Sequence, residues 1–180
     1  MRENIKPPVV LAVICAVVCS LLIIAYNATY VDTTGVITDK LQECLDNIFG
    51  SNTYEMAKND DGSLLLYDGI TSVMYDSDGD VAFEIVADGY SKGGLDVIIG
   101  FDPEGNIKGI EFVSIGETPG LGTKVKENSF LEQFIGKNSS DFEIQAVTGA
   151  TYSSKGMKNA VSLAVDTYNN HKEEILNAVH

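Results

Sequence analysis

The apolar residues of this chain are distributed in three patterns, and each pattern predicts a different kind of element. The first is an unbroken apolar run without charged residues, VVLAVICAVVCSLLIIAY, from Val9 to Tyr26. Eighteen helical residues reach about 27 Å, close to the roughly 30 Å thickness of a bilayer's hydrocarbon core. The run therefore predicts a transmembrane helix, which we place at residues 9–28.

The charges on either side of this run predict its orientation. Arg2 and Lys6 precede it and Asp32 and Asp39 follow it, so the positive-inside rule places the N-terminus in the cytoplasm. A cleaved signal peptide is the alternative, but Tyr26 occupies the outer small position of the cleavage pattern that it would need. We therefore predict an uncleaved, single-pass anchor in the lipid bilayer of the cell membrane, followed by an extracytoplasmic domain.

The second pattern repeats apolar residues every three or four positions, as one face of a helix does. It occurs over residues 31–50, and again over residues 157–168, in a helix that we expect to begin near Ser153 or Ser154. A short helix is also predicted in NSFLEQFIG, at residues 128–136. Helices therefore stand at both ends of the outer domain.

The third pattern consists of short β-branched and aromatic runs that turn residues separate. The five runs are LLLYDG, SVMYDS, VAFEIVADGY, LDVIIGFD and IKGIEFVSIG. Between the last two runs, DPEGN is predicted to form a hairpin turn. Together the patterns predict an α+β fold, with a transmembrane helix followed by a domain of a mostly antiparallel sheet and flanking helices. We divide the chain into a cytoplasmic N-terminus at 1–8, the span at 9–28, a helical connector at 29–60 and the outer domain at 61–180, with its core at 85–165.

Composition removes several classes of function. The net charge of −14 argues against nucleic acid as a partner, because phosphates require a basic surface. The only two histidines, His171 and His180, lie in the polar C-terminal tail, so neither a nucleophilic triad nor a zinc site is predicted. The stretch DSDGD lacks the glutamate that would complete a calcium loop, and we interpret it as a hairpin turn. We expect no catalytic residue and no metal.

The three cysteines do not predict a disulfide within the outer domain. Cys15 and Cys19 lie one helical turn apart in the membrane span, where packing is their expected role. Cys44 is the only thiol of the outer domain, and its spacing from Leu41 and Ile48 indicates a buried apolar position.

Two glycine-rich stretches remain as candidate binding elements. GETPGLGTKV follows the last predicted strand, and its glycines would let the backbone approach a planar ligand closely. The candidate contacts in this stretch are Glu117, Thr118, Pro119, Gly120, Leu121 and Gly122. The alternative for these residues is an irregular loop that binds nothing.

The second stretch is AVTGATYSS, which leads into the last predicted helix. Thr148, Gly149 and Ala150 carry little side-chain bulk just before Thr151. Free N–H groups and the helix dipole favour a phosphate beside such a position. The alternative is that Thr151 or Ser153 merely caps the helix through its side-chain oxygen. The residues alone leave both interpretations open.

The combination of these features resembles the FMN-binding domain family. The features are a membrane span, an outer α+β domain, ETPGLG after a strand and TGAT before the last helix. Within that family, the layout and length are similar to the G subunits of Rnf-type ion-translocating ferredoxin:NAD oxidoreductases. The C subunits of sodium-pumping NADH:quinone reductases are longer members. The likeness covers nearly the whole chain and is most specific at residues 85–165.

The resemblance implies a covalently bound cofactor. In the family, a motif of the form Asp-x-x-Ser/Thr-Gly-Ala-Thr carries FMN on its last threonine through a phosphoester, which a separate flavin transferase makes from FAD. Carried over to this chain, Thr151 is the acceptor, Thr148, Gly149 and Ala150 match the motif, and Gln145 stands at its aspartate position. The resemblance also implies that the ETPGLG loop lies against the flavin.

The function that the resemblance implies is electron relay inside a respiratory complex, coupled to Na⁺ or H⁺ transport, with no independent catalytic activity. The expected partners are the other membrane and peripheral subunits of that complex and the flavin transferase. Two alternatives use the same fold. One is a non-redox extracytoplasmic sensor or binding module, and the other is a stand-alone extracellular flavin reductase.

Overall fold

The computed structural model describes residues 6–29 and 35–178. The chain divides into two compact units, Met1–Thr34 and Gly35–His180, each with its own structure. Arg2, Asp32 and the beginning of the helix predicted at 31–50 lie outside the described residues.

The first unit contains one helix, α1, at Lys6–Thr29. Within it, Pro8–Thr29 is long and apolar enough to cross a membrane, and its side chains are exposed. Two hydroxyls in this segment donate back into the helix, Ser20 to the carbonyl of Ala16 and Thr29 to the carbonyl of Ala25, each at 2.8 Å. Such back-bonding satisfies the hydroxyls where no water is present. The predicted apolar N-terminal helix is confirmed.

The second unit is built on a five-stranded antiparallel sheet in which every strand pairs with its neighbour in the chain. The strands are β1 Tyr54–Met56, β2 Ser72–Asp76, β3 Val81–Ala87, β4 Leu95–Phe101 and β5 Ile107–Ile115. Two predicted turns close its hairpins. DSDGD joins β2 to β3, and Asp76 accepts the N–H groups of Asp78 and Asp80 at 2.9 and 3.0 Å. DPEGN joins β4 to β5, with Gly105 at φ 95°.

Helices cover both faces of the sheet, so the predicted α+β fold is confirmed. One face carries α2 at Asp39–Phe49, which Thr38 caps by accepting the N–H of Leu41 at 3.3 Å. The other face carries α4 at Thr151–Ala178, whose backbone is non-helical at His171 (φ −120°, ψ 15°). Between β5 and α4 lie a 3-10 turn at Gly122–Lys126 and the short helix α3 at Asn128–Leu131.

Alternation along the strands divides the apolar side chains between two cores. Met74, Ala82 and Ile98 of the strands pack against α2, and the α2 side of this core includes the buried thiol of Cys44. That thiol lies 3.7 Å from the carbonyl oxygen of Phe112, and burial raises its pKa. The larger core lies under α4 and includes Phe83, Phe101 and Val97 of the strands with Met157, Val161, Val165 and Tyr168 of the helix. The helical pattern predicted for residues 157–168 therefore does face the sheet.

Several predicted elements are wrong in detail. The helix predicted at 31–50 begins at Asp39 within the described residues, because Thr38 caps it, and the short helix predicted at 128–136 ends at Leu131. LLLYDG is not a strand. Among the described residues, its ladder pairing is limited to an isolated bridge between Leu64 and Lys58, beside a hydrogen bond from Leu65 N–H to the carbonyl of Ala57. Of its three leucines, only Leu65 is buried. The last helix begins at Thr151 rather than near Ser153 or Ser154, because a tight turn directly precedes Thr151.

Candidate functional site

Three segments that are distant in sequence meet at the beginning of α4 and enclose a cleft of about 300 Å³. One is the loop after β3, one is the loop after β5, and the third is the turn that leads into α4. The residues that line the cleft are Tyr90, Glu117, Thr118, Leu121, Gly122, Gly149, Ala150, Thr151, Tyr152 and Ser153. The fold thus brings both predicted glycine-rich stretches to one place.

A tight turn places Thr151 at the first position of α4. The N–H of Ala150 donates to the carbonyl of Val147 at 2.9 Å, which makes Gly149 the third residue of the turn. Gly149 has φ 80°, a left-handed conformation that this turn position requires and that glycine adopts without strain. The small residue at 149 is therefore needed for backbone conformation as well as for space.

The beginning of α4 presents free hydrogen-bond donors next to the Thr151 side chain. The first helical bond runs from Ser154 N–H to Ala150 O at 2.9 Å. Within the described residues, the N–H groups of Thr151, Tyr152 and Ser153 have no acceptor, and the exposed Thr151 hydroxyl has no partner. Three free N–H groups at the positive end of a helix are suited to bind an anion.

Neither Thr151 nor Ser153 caps the helix, so the capping interpretation is wrong. The hydroxyl of Ser153 is buried and donates instead to the carboxylate of Glu117. The next hydroxyl, of Ser154, accepts the N–H of Val147 at 3.0 Å and so ties the turn to the helix. The serines of this stretch thus have structural partners, whereas Thr151 has none among the described residues.

Glu117 is the hub that joins the three segments. It is only 5% exposed, and it accepts the N–H of Tyr90 at 3.1 Å, the N–H of Ser91 at 3.0 Å and the hydroxyl of Ser153. Burial by itself would raise the pKa of Glu117, but the hydrogen bonds from Ser153, Ser91 and Tyr90 together lower it below its usual value. The wall of the cleft therefore contains an ionised carboxylate.

Glycines make room for this buried carboxylate. A Cβ at Gly122 would lie 2.8 Å from both the Cβ of Glu117 and the Oγ of Ser153, and a Cβ at Gly89 would lie 2.5 Å from Oε1 of Glu117. Gly94 is crowded by the same oxygen. The lack of a side chain at Gly122 thus makes room for the Glu117 side chain, whereas the sequence suggested that it makes room for a ligand. Sequence reasoning missed the roles of Gly89 and Gly94 in the β3–β4 loop.

Gly120 is another of the predicted contacts, but its surroundings are open, unlike those of Gly122. Its φ is 73°, and no atom lies within 4 Å of the position that a Cβ would take. Its N–H donates to the hydroxyl of Thr123 at 2.9 Å, and the N–H of Leu121 donates to the carbonyl of Thr118 at 3.2 Å. Of the predicted contacts, Pro119, Gly120 and Thr148 do not line the cleft.

Two tyrosines that the sequence did not single out stand at the mouth of the cleft. Tyr90 and Tyr152 are 74% and 70% exposed, and their rings lie 6.3 Å apart in an edge-to-face arrangement. Leu121 adds a third exposed apolar side chain. Exposed aromatic groups beside a cleft are typical of sites for ring-shaped ligands. Their neighbourhood depends on the long-range bond between Glu117 and the Tyr90 backbone, which no local pattern reports.

The residues present fit a cofactor that has a phosphate and a planar ring. The free N–H groups of α4 suit the phosphate, and the cleft with its apolar mouth suits the ring. Gln145, at the aspartate position of the family motif, is held through its backbone. Its N–H donates to Oε1 of Gln133 at 2.7 Å and its carbonyl accepts from Nε2 of Gln133 at 3.3 Å. The side chain of Gln145 is exposed.

Comparison with known proteins matches the part of the chain that contains this cleft. Residues 89–166 match the model of the FMN-binding domain family, and they include all three segments of the cleft. The chain is 34% identical over 113 residues to the G subunit of the ion-translocating oxidoreductase complex of Shewanella piezotolerans. The aligned residues cover 54% of this chain and 53% of that subunit. It is also 34% identical over 95 residues to the G subunit of the Na(+)-translocating ferredoxin:NAD(+) oxidoreductase complex of Acetobacterium woodii, covering 46% and 45%.

The solved structures that resemble the chain include NqrC of Shewanella oneidensis. It has a TM-score of 0.43 and 21% sequence identity, over 71% of this chain and 61% of that one. This chain spans about half the length of the G subunits that it matches. The resemblance to the FMN-binding domain family and to these G subunits, predicted from ETPGLG and TGAT, is confirmed.

Proposed function

We propose that this chain is a membrane-anchored flavoprotein subunit that relays electrons within an Rnf-type ion-translocating complex. We further propose that it carries FMN on Thr151 through a phosphoester. The observation that carries the proposal is the Thr151 hydroxyl, which is exposed, has no partner among the described residues and stands beside three free N–H groups. It lies within residues 89–166, which match the FMN-binding domain family.

The chain's own residues would hold and orient the group. Thr151 would supply the ester oxygen, and the N–H groups of Tyr152 and Ser153 would donate to the phosphate oxygens. The cleft would hold the ring below the mouth that Tyr90, Leu121 and Tyr152 form, and would keep water away from it. The bound FMN would supply the electron transfer, since flavins exchange one or two electrons. A covalent tether would keep the cofactor in place outside the cytoplasm.

Attachment would need a separate enzyme. In the proposed reaction, a flavin transferase brings FAD, the Thr151 oxygen loses its proton and bonds to the flavin-side phosphorus, and AMP leaves. Among the described residues, Glu117 is the only carboxylate that lines the cleft, and it is occupied by three hydrogen bonds. We therefore assign attachment chemistry to the partner enzyme and no independent turnover to this chain.

The attachment site is tested by making the protein together with a flavin transferase and viewing a denaturing gel under ultraviolet light. Thr151→Ala should give no fluorescent band and an intact mass without FMN, whereas Thr148→Ala, a matched threonine of the same motif, should keep the band. Thr151→Ser keeps a hydroxyl and should load in part. A fluorescent band in Thr151→Ala would place the flavin elsewhere.

The membership in a complex is tested separately. The tagged chain, solubilised from membranes in mild detergent, should bring down other redox subunits. Purification of the flavin-loaded chain alone, with reductase activity of its own, would favour the stand-alone reductase. A colourless, unmodified protein from cells that contain the transferase would favour the non-redox binding module.

A further inference from the structure

The mouth of the cleft combines exposed apolar side chains into one surface, which we call the rim. The rim consists of Tyr90, Leu121 and Tyr152, which are 74%, 49% and 70% exposed. The two tyrosine rings lie 6.3 Å apart, and a Cβ at Gly149 would lie 3.5 Å from Leu121. An exposed apolar cluster of this kind marks a contact surface.

The charge around the rim is opposite to that of the chain as a whole. The whole chain has a net charge of −14, but residues 88–94, 116–127 and 147–158 contain five lysines and three acidic residues. Two of those acids are engaged. Glu117 is buried in its hydrogen bonds, and Asp88 accepts the N–H of Gly93 at 2.7 Å. The exposed charge of these segments is therefore basic.

Three of the lysines lie within a few residues of a rim residue in the sequence. Lys92 follows Tyr90 by two residues, and Lys124 donates its N–H to the carbonyl of Leu121 at 3.1 Å. Lys155 follows Thr151 by four residues on α4, so the two lie on one face of the helix. All three side chains are exposed, and none has an ion-pair partner within the described residues.

The other two lysines of these segments are directed elsewhere. Lys126 lies 5.8 Å from the centre of the Phe112 ring. Lys158 lies 3.7 Å from the carboxylate of Glu143 and 5.9 Å from the centre of the Phe142 ring. The free cations of the cleft segments are thus those next to the rim.

We propose that the rim docks onto a membrane surface of anionic phospholipids. The tyrosines and Leu121 would enter the headgroup region, where tyrosine is enriched, and Lys92, Lys124 and Lys155 would contact headgroup phosphates. The acidic remainder of the chain is repelled by the same surface, so that only the rim approaches it. The cations favour lipid over a protein partner, because they are lysines, and protein interfaces are enriched in arginine and depleted in lysine.

The absence of tryptophan from the sequence makes this proposal accessible to fluorescence. The full-length chain, made without flavin transferase, would carry either Tyr90→Trp at the rim or Leu66→Trp, an exposed position outside the cleft segments. Each would be placed in nanodiscs of phosphatidylcholine alone or mixed with phosphatidylglycerol. Lipids brominated on the upper part of the acyl chain, included in each mixture, quench a tryptophan that enters the interface between headgroups and hydrocarbon. Because the protein is unmodified, the result is independent of the proposed flavin.

We expect at least twofold stronger quenching and a blue shift for Tyr90→Trp when phosphatidylglycerol is present, with no change for Leu66→Trp. High salt should remove the effect, because it screens the lysines. Adding Lys124→Glu and Lys155→Glu should abolish the quenching. Adding Lys58→Glu and Lys137→Glu, which change the net charge equally outside the cleft segments, should leave it unchanged.

Three results would overturn the proposal. One is equal quenching of Tyr90→Trp in both lipid mixtures, and another is equal quenching of Tyr90→Trp and Leu66→Trp. The third is equal loss of quenching with the two pairs of charge reversals, which would show that net charge alone acts. A Tyr90→Trp chain that stays in water in both mixtures would leave the rim to a protein partner.

Discussion

Replacing Asp96 with asparagine should stabilise the outer domain at neutral pH. Asp96 lies in β4 between Val86 of β3 and Ser114 of β5, and its Oδ1 is buried without a hydrogen-bond partner in the described structure. The pKa of Asp96 is raised to about 6. Burial is the largest cause and the nearby carboxylate of Glu84 the second, while a hydrogen bond from Ser114 lowers the pKa in part. The folded protein therefore disfavours the ionised form of this side chain.

The size of the effect follows from the pKa. A rise from 3.8 in the unfolded chain to about 6 in the folded one corresponds to about 3 kcal/mol lost at pH values above 6. Partial exposure to water reduces this to about 1–2 kcal/mol. Because the folded-state pKa is raised, the folded state binds the extra proton, and the loss disappears as the pH falls from about 6 to about 4. Asparagine has no charge and removes the loss at every pH.

The assay is urea unfolding of residues 35–180, a compact unit of its own, as a function of pH. Asp96→Asn should be more stable than wild type by about 1–2 kcal/mol at pH 7.5 and equal to it near pH 4. Asp166→Asn, at an exposed position of α4, is the control for removing one negative charge from an acidic protein. An equal gain in both variants, or a gain for Asp96→Asn that does not change with pH, would refute the reasoning.

Further predictions concern the hub and the topology. Gly122→Ala should cost about 1–3 kcal/mol in the free energy of unfolding, because its Cβ meets Glu117 and Ser153, whereas Gly120→Asn, in open space at a φ that asparagine tolerates, should cost less than 1 kcal/mol. Denaturant unfolding of both variants checks this, and equal costs would contradict it. Glu117→Gln should cost about 1.5–3 kcal/mol at pH 7, because the N–H groups that it accepts prefer a carboxylate. Since the pKa of Glu117 is lowered, wild-type stability should fall toward that of Glu117→Gln below about pH 4, and unfolding curves over that range show whether it does. A reporter fused to the C-terminus should be active only outside the cytoplasm, and cytoplasmic activity would reverse the predicted orientation.

Local patterns were sufficient for most of the fold. The apolar stripe from Met157 to Tyr168 and the turns DSDGD and DPEGN each depend on residues within a few positions of one another. LLLYDG failed because an apolar run does not show whether a partner strand is available, and only residues 57 and 58 pair with it. The beginning of α4 was misplaced by about two residues because Ser153 resembles a cap, yet its hydroxyl bonds to Glu117.

The candidate site was predictable only in part. TGAT and ETPGLG are contiguous motifs, and both are recognisable from the family pattern. The hub is different, because the partners of Glu117 lie 26, 27 and 36 residues away in the chain. Tyr90 joins the cleft through such a bond, and Gly89 and Gly94 are small because of a side chain more than twenty positions later. A single sequence contains no signal for these contacts.

The order of the strands also has a consequence for the kinetics of folding. Because every strand of the sheet pairs with its neighbour in the chain, the sheet can form pair by pair, and the longest connection between paired strands is residues 57–71. The cleft is different, since Ser153 reaches Glu117 only when α4 docks on the finished sheet. We therefore expect the contacts of the hub to form after the transition state. Substitutions there should leave the folding rate near that of wild type and increase the unfolding rate.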